Sequence, residues 1–246
     1  MQLHYTIHGT GEPLVLIHGY LSDGNYWHSI VPQLTEHYQV ITIDLLGFGK
    51  SPKPNTSDYS LATHAQAVAD TLRPLINQPA IIMGHSMGCL VSSQLAITNP
   101  KLVSKLILCN MPFFETPEQA RGVVMKTGRV YRAMLYSPLA RLFWPIAKLL
   151  LRGKFAPGPK GAFSVHHTYP SRTRSLKNTI EPTSAVKLLK RTTHPTVVIN
   201  GTYDRRVYRQ NLEAAHLPTN IQLRWVETGH HTISRAPRAV LDELVP

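Results

Sequence analysis

Only two cysteines, Cys89 and Cys109, occur in 246 residues, and both fall in apolar segments. A disulfide framework is therefore excluded, and buried free thiols are expected. No apolar run approaches the roughly 20 residues that a membrane-spanning helix needs. The first residues, Met1-Gln2-Leu3-His4-Tyr5, have neither the basic nor the apolar region of a signal peptide. A soluble, unexported, cytoplasmic protein is expected. There is no internal repeat and no low-complexity tract, which argues against a solenoid or a disordered tail. Acidic residues are also scarce, 14 against 26 Lys and Arg, for a formal net charge of +12.

The scarcity is local. Residues 114–195 carry 15 Lys and Arg but only Glu115, Glu118 and Glu181, while the rest of the chain holds 11 residues of each sign. A composition shift of that kind marks an inserted module with its own surface role. Nucleic acid is not the expected partner, because no DNA or RNA recognition motif accompanies the charge.

What is present is a chain 43% hydrophobic, long enough for one well-buried core. Outside the basic middle, short apolar runs alternate with amphipathic stretches. That is the pattern of an α/β protein with a mostly parallel, doubly wound sheet. Strands are predicted at Leu3–His8, Pro13–His18, Gln39–Asp44, Ala80–Gly84, Lys105–Asn110, Thr196–Gly201 and Gln222–Glu227. Residues 9–12 read as a hairpin turn between the first two. Helices are predicted near Trp27–Glu36, Ser60–Ile76, Ser86–Asn99, Tyr208–Ala215 and Pro237–Leu244.

Between the fourth strand and the helix that follows lies Gly84-His85-Ser86-Met87-Gly88. A sharp strand-to-helix turn leaves no room for side chains two residues either side of the serine, so glycine is wanted at 84 and 88. Read alone, the pentapeptide also fits a helix start with Ser86 as its N-cap. Two later segments tip the balance. Asn200-Gly201-Thr202-Tyr203-Asp204 puts a carboxylate just past a strand, and Thr228-Gly229-His230-His231 puts a histidine directly after a glycine past the next one. Asp204 is then the candidate orienting acid and His230 the candidate base, with His231 the runner-up. The order Ser, Asp, His at strand ends is one in which a base activates a serine hydroxyl.

Together with "LVLIHGY" (14–20) and "DLLGFGKS" (44–51), these segments resemble the α/β-hydrolases of the small, cap-bearing kind, over nearly the whole chain. The resemblance implies an α/β-hydrolase core at 1–113 and 191–246 and a helical cap at 114–190. It implies Ser86 as nucleophile, His230 as base and Asp204 as acid. Backbone N–H groups of Tyr20 and Met87 would form the oxyanion hole, and Gly84, His85 and Gly88 the nucleophile elbow. Some relatives carry the acid after the preceding strand, where this chain has Asn110. The implied activity is carboxylic ester hydrolysis without cofactor or metal. C–C bond hydrolysis of ring-cleavage products is the alternative; it is disfavoured because those enzymes commonly have Gly-Asn-Ser at the elbow. A binding module that has lost its chemistry would lack the triad residues.

Other conspicuous residues have plainer readings. His18 packs or hydrogen-bonds within its loop, His85 supports the elbow, and Asp44, Gly47 and Gly49 shape a loop. His166-His167 lacks companions at metal-ligand spacing. Within 114–190, Val123, Val124, Val130, Tyr131, Met134 and Leu135 recur at helical spacing opposite Arg121, Lys126, Arg129 and Arg132. Residues 139–152 repeat the arrangement. The plain reading is that the apolar faces close a pocket and the charges face water. The sharper one is a cationic lid for an anionic membrane surface or an acidic carrier protein.

Overall fold

The computed structural model describes residues 1–125, 159 and 161–245. These residues form a seven-stranded sheet. The strands are β1 (Tyr5–His8), β2 (Glu12–Ile17), β3 (Tyr38–Ile43), β4 (Ala80–His85), β5 (Val103–Cys109), β6 (Thr196–Gly201) and β7 (Ile221–Val226). Their order across the sheet is β1-β3-β2-β4-β5-β6-β7. All neighbours are parallel except β1, which runs antiparallel to β3. The expected hairpin is thus corrected: β1 and β2 turn back through Gly9 and Gly11, but β3 lies between them. The cause is burial. β2 is buried along almost its whole length and takes a parallel partner on each side, whereas the largely exposed β1 is suited to an edge.

Alternate residues of each inner strand enter two separate cores. Val15, Ile17, Ile41, Ile82, Leu106, Leu108 and Val198 pack with α2 (Leu61–Leu72) and α3 (Met87–Thr98). Leu14, Leu16, Val40, Met83, Ile107, Val197 and Ile199 pack on the other face with Tyr26, Trp27, Ile30 and Leu34. The single helix expected at Trp27–Glu36 is instead a 3₁₀ turn at Gly24–Trp27, capped by Asp23, followed by one α-turn, α1 (Val31–Leu34). Pro32, at the second position of α1, restricts the chain to starting a new turn there rather than continuing an old one.

Between β5 and β6 come α4 (Pro117–Met125), α5 (Tyr169–Ser175), a π-helical turn at Leu176–Ile180, and α6 (Ala185–Arg191). Ala185, Val186, Leu188 and Leu189 of α6 belong to the same core as α2 and α3. The amphipathic stretch at 139–152, and the one starting at Val123 from residue 126 onward, lie outside the described residues, as do Arg129, Arg132, Lys148 and Arg152. The chain closes with α7 (Arg209–Glu213), α8 (Thr232–Arg235) and α9 (Arg238–Leu241). Among the described residues no helix is long and apolar enough to cross a membrane.

Candidate active site

β4 ends in the elbow. Ser86 has φ 52° and ψ −119°, a backbone state that L-residues seldom adopt. It is held there from both sides: its N–H donates to the Cys109 carbonyl at 3.0 Å, and its carbonyl accepts from the Cys89 N–H at 2.9 Å. The flanking glycines are needed for room. A Cβ on Gly84 would lie 2.7 Å from the Gly88 carbonyl oxygen, and one on Gly88 would run into the Ile17 carbonyl.

The parallel ladder brings the ends of β4, β5, β6 and β7 to one edge, where ligand crevices form in open α/β sheets. Asp204 follows β6 and is buried. Its Oδ2 accepts the His230 Nδ1–H at 2.7 Å, and its Oδ1 accepts the Arg206 N–H at 3.0 Å. His230 follows β7, and its Nε2 lies 2.9 Å from the Ser86 Oγ. Ser86, His230 and Asp204, remote in sequence, thus form one hydrogen-bonded chain. With Nδ1–H committed to the carboxylate, Nε2 is the nitrogen left to accept the serine proton.

Burial lowers the His230 pKa below its ordinary value, against the pull of Asp204, and the Arg206 charge adds to the lowering. Burial would raise the Asp204 pKa, but His230 and the Arg206 N–H outweigh it, and the carboxyl ends below its ordinary range. The imidazole is therefore neutral and the carboxylate ionised at neutral pH. His231 does not join this chain. Its Nδ1 faces the Tyr26 hydroxyl at 3.5 Å, and burial with neighbouring positive charge lowers its pKa to about 4.

Met87 heads α3, where the first-turn N–H groups have no intrahelical acceptor. Tyr20 follows Gly19, whose notional Cβ would lie 3.0 Å from the Ser86 Cβ. Met87 thus follows the serine in the chain, while the residue before Tyr20 abuts it in space. His18 is buried, with its Nδ1–H donating to the Gly19 carbonyl at 2.7 Å and its Nε2 accepting the Leu45 N–H at 2.9 Å. His85 stacks on Tyr26, ring centroids 4.3 Å apart, and its Nε2–H donates to the His230 carbonyl at 2.8 Å. Burial pushes its pKa well down. Asp44 accepts the N–H groups of Gly24 and Lys50, a loop clamp. Among the described residues no group of three His, Cys, Asp or Glu is arranged to hold a metal ion.

Sequence reasoning passed over Asn110, noting only that it is not a carboxylate. Its buried amide donates to Asp204 Oδ2 at 3.2 Å and to the Gly229 carbonyl at 3.0 Å, and its oxygen accepts the Thr232 N–H at 3.1 Å. One side chain thus ties together the acid loop, the histidine loop and the start of α8. Its φ of 54° suits asparagine better than most residues. The available signal was its place at the end of β5, facing the same crevice.

A family model described as alpha/beta hydrolase fold matches residues 12–235. Over 128 residues, 52% of this chain and 49% of the other, the sequence is 39% identical to the pimeloyl-[acyl-carrier protein] methyl ester esterase of Aeromonas salmonicida (strain A449). Over 139 residues, 55% of this chain and 32% of the other, it is 32% identical to the probable lysophospholipase BODYGUARD 4 of Arabidopsis thaliana. The chain spans about half or less of the length of these two relatives. In fold it is similar to an esterase from Exiguobacterium antarcticum, at a TM-score of 0.77 and 22% identity, covering 99% of this chain and 94% of that one.

Proposed function

We propose a function from the premise that the chain belongs to the alpha/beta hydrolase family: it cleaves carboxylic esters through an acyl-enzyme on Ser86. The observation that carries this reading is the chain from Ser86 Oγ through His230 to Asp204, at 2.9 and 2.7 Å. As Oγ adds to the ester carbonyl carbon, its proton passes to His230 Nε2. The carbonyl π electrons move onto oxygen, where the N–H groups of Tyr20 and Met87 receive the negative charge. Collapse breaks the bond to the alcohol oxygen, which leaves with the proton from His230. Water then adds to the acyl carbonyl, giving His230 its proton, and collapse releases the acid and returns the proton to Ser86. Asp204 keeps the imidazole oriented and stabilises its charged form.

The substrate we favour is a carboxylic ester with an acyl chain, either a free small molecule or one borne on an acyl carrier. The support is the 39% identity to a protein named for a methyl ester of that kind. The basic composition of 114–195 would suit an acidic carrier or an anionic membrane surface. C–C bond hydrolysis is the competing reaction. A panel of p-nitrophenyl and methyl esters set against dienone ring-cleavage products, run on the parent and on Ser86→Ala, tests the proposal. Ester turnover lost in Ser86→Ala is the expected result; turnover of dienones alone, or undiminished ester turnover in the variant, overturns the reading.

A further inference from the structure

The loop that carries Tyr20 is gripped on two sides. On its inner side, Gly19 abuts the elbow, where a Cβ would lie 2.9 Å from His85 Nδ1 and 3.0 Å from the Ser86 Cβ. On its outer side, the loop meets the returning limb of the insertion, residues 161–175, through three consecutive residues. The Tyr20 hydroxyl donates to the Arg172 carbonyl at 2.9 Å. The Leu21 carbonyl accepts the Ser164 N–H at 2.7 Å. The Ser22 hydroxyl donates to the Gly161 carbonyl at 2.7 Å. Gly161, at φ 79°, passes so close that a Cβ there would lie 2.5 Å from the Asn25 carbonyl oxygen.

Leu21 itself sits at φ 58°. A non-glycine residue keeps such a conformation only where its surroundings over-determine it. The α5 end of the limb is tied in turn to the loop before α2, with Arg174 donating to the carbonyls of Asn55 and Ser57, both at 2.6 Å. The limb thus holds the loop at Gly161, Ser164 and Arg172 and is itself tied down at Arg174, next to the last of these contacts.

We propose that the limb at 161–175 is a working part of the oxyanion hole, and that the Tyr20 phenol and the Ser22 hydroxyl are positioning residues that aim the Tyr20 N–H. This rests on the ester-hydrolase reading above. The position of the inserted segment is thereby coupled to stabilisation of the transition state rather than to binding of the ground state, because an oxyanion donor acts on charge that is absent from the substrate.

The experiment uses the full chain and the variants Tyr20→Phe, Ser22→Ala and the double variant. Tyr20→Phe keeps the ring on Phe48, 6.0 Å between centroids, and Ser22→Ala removes a single oxygen, so thermal melts should report folded proteins. Measured are kcat and KM on a neutral p-nitrophenyl ester and the affinity for an alkyl boronic acid, whose tetrahedral adduct places an oxygen in the hole. Each single variant should lose about three- to tenfold in kcat, the range that one net hydrogen bond supplies. KM should stay within about twofold, and boronic acid affinity should fall by the same factor as kcat/KM. A double variant that is folded and keeps its kcat overturns the inference alone, as does a loss confined to KM, which would make these residues pocket lining. A parent that neither hydrolyses the ester nor binds the boronic acid overturns the hydrolase reading and the inference with it.

Discussion

Ser86, Asp204 and His230 stand on the ends of β4, β6 and β7, and the bonds that hold them come from neighbouring strand ends and loops of the sheet. The loop with Tyr20 also follows a strand, β2, yet its outer contacts come from a segment inserted more than a hundred residues later. The two halves of one site thus answer to different parts of the chain. In the proposed mechanism, proton transfer runs between groups placed by the strand ends and the loops that follow them. The accommodation of negative charge would depend, in the same mechanism, on how residues 161–175 return to the sheet.

Several changes would break or sharpen this contrast. The largest effect is expected at Ser86→Ala, a fall in kcat on the order of 10⁶-fold with no fluorophosphonate labelling, because Ser86 carries the hydroxyl that His230 Nε2 reaches. Asp204→Asn should cost about 10⁴-fold in kcat with the fold intact, since an amide cannot hold the imidazole in the needed tautomer or balance its charge. Asn110→Ala tests the sheet side more gently. It leaves the Gly229 carbonyl and the Thr232 N–H without their partner. A melting temperature lower by a few degrees is expected, with about 10- to 100-fold less kcat from a loosened histidine loop. Calorimetry and steady-state kinetics on the same preparation check both.

A smaller effect is expected from pH. His230 must be neutral to act, and burial has lowered its pKa, so the acid limb of kcat/KM should lie below pH 6.5 rather than at it. A limb above 6.5 would mean that the Asp204 charge outweighs burial. Stability should fall in the same direction. Buried His64 has its pKa lowered to about 3, and those of His18 and His85 are also lowered. The unfolded chain takes up protons there first, so stability is full above about pH 6.5 and is lost as the pH falls. Each such group contributes up to roughly 1.4 kcal/mol per pH unit. Melts between pH 7.5 and 5 measure the slope.

Much of this was legible in the sequence because the information was local. Apolar runs located every strand to within a few residues, and glycine spacing marked Gly84 and Gly88 before their close contacts were visible. Asp204 and His230 could be read because each lies in the short loop just past such a run. The β1–β2 hairpin was misread, since a two-glycine turn looks the same whether or not a third strand comes between its arms. Asn110 was judged by its charge, whereas its place in the site comes from three partners on other loops. The grip of Arg172, Ser164 and Gly161 on the Tyr20 loop has no local signature at all. It joins positions as far as 152 residues apart, and only the fold brings them together.

The most direct test of the central claim is to trap the acyl-enzyme. The protein is mixed with excess p-nitrophenyl ester, quenched in acid within the first turnover, and mapped by peptide mass. One acyl group per chain on the peptide containing His85-Ser86-Met87, with a matching burst of p-nitrophenol, is the expected result. Ester turnover with no acyl group on Ser86 at any time point would contradict it.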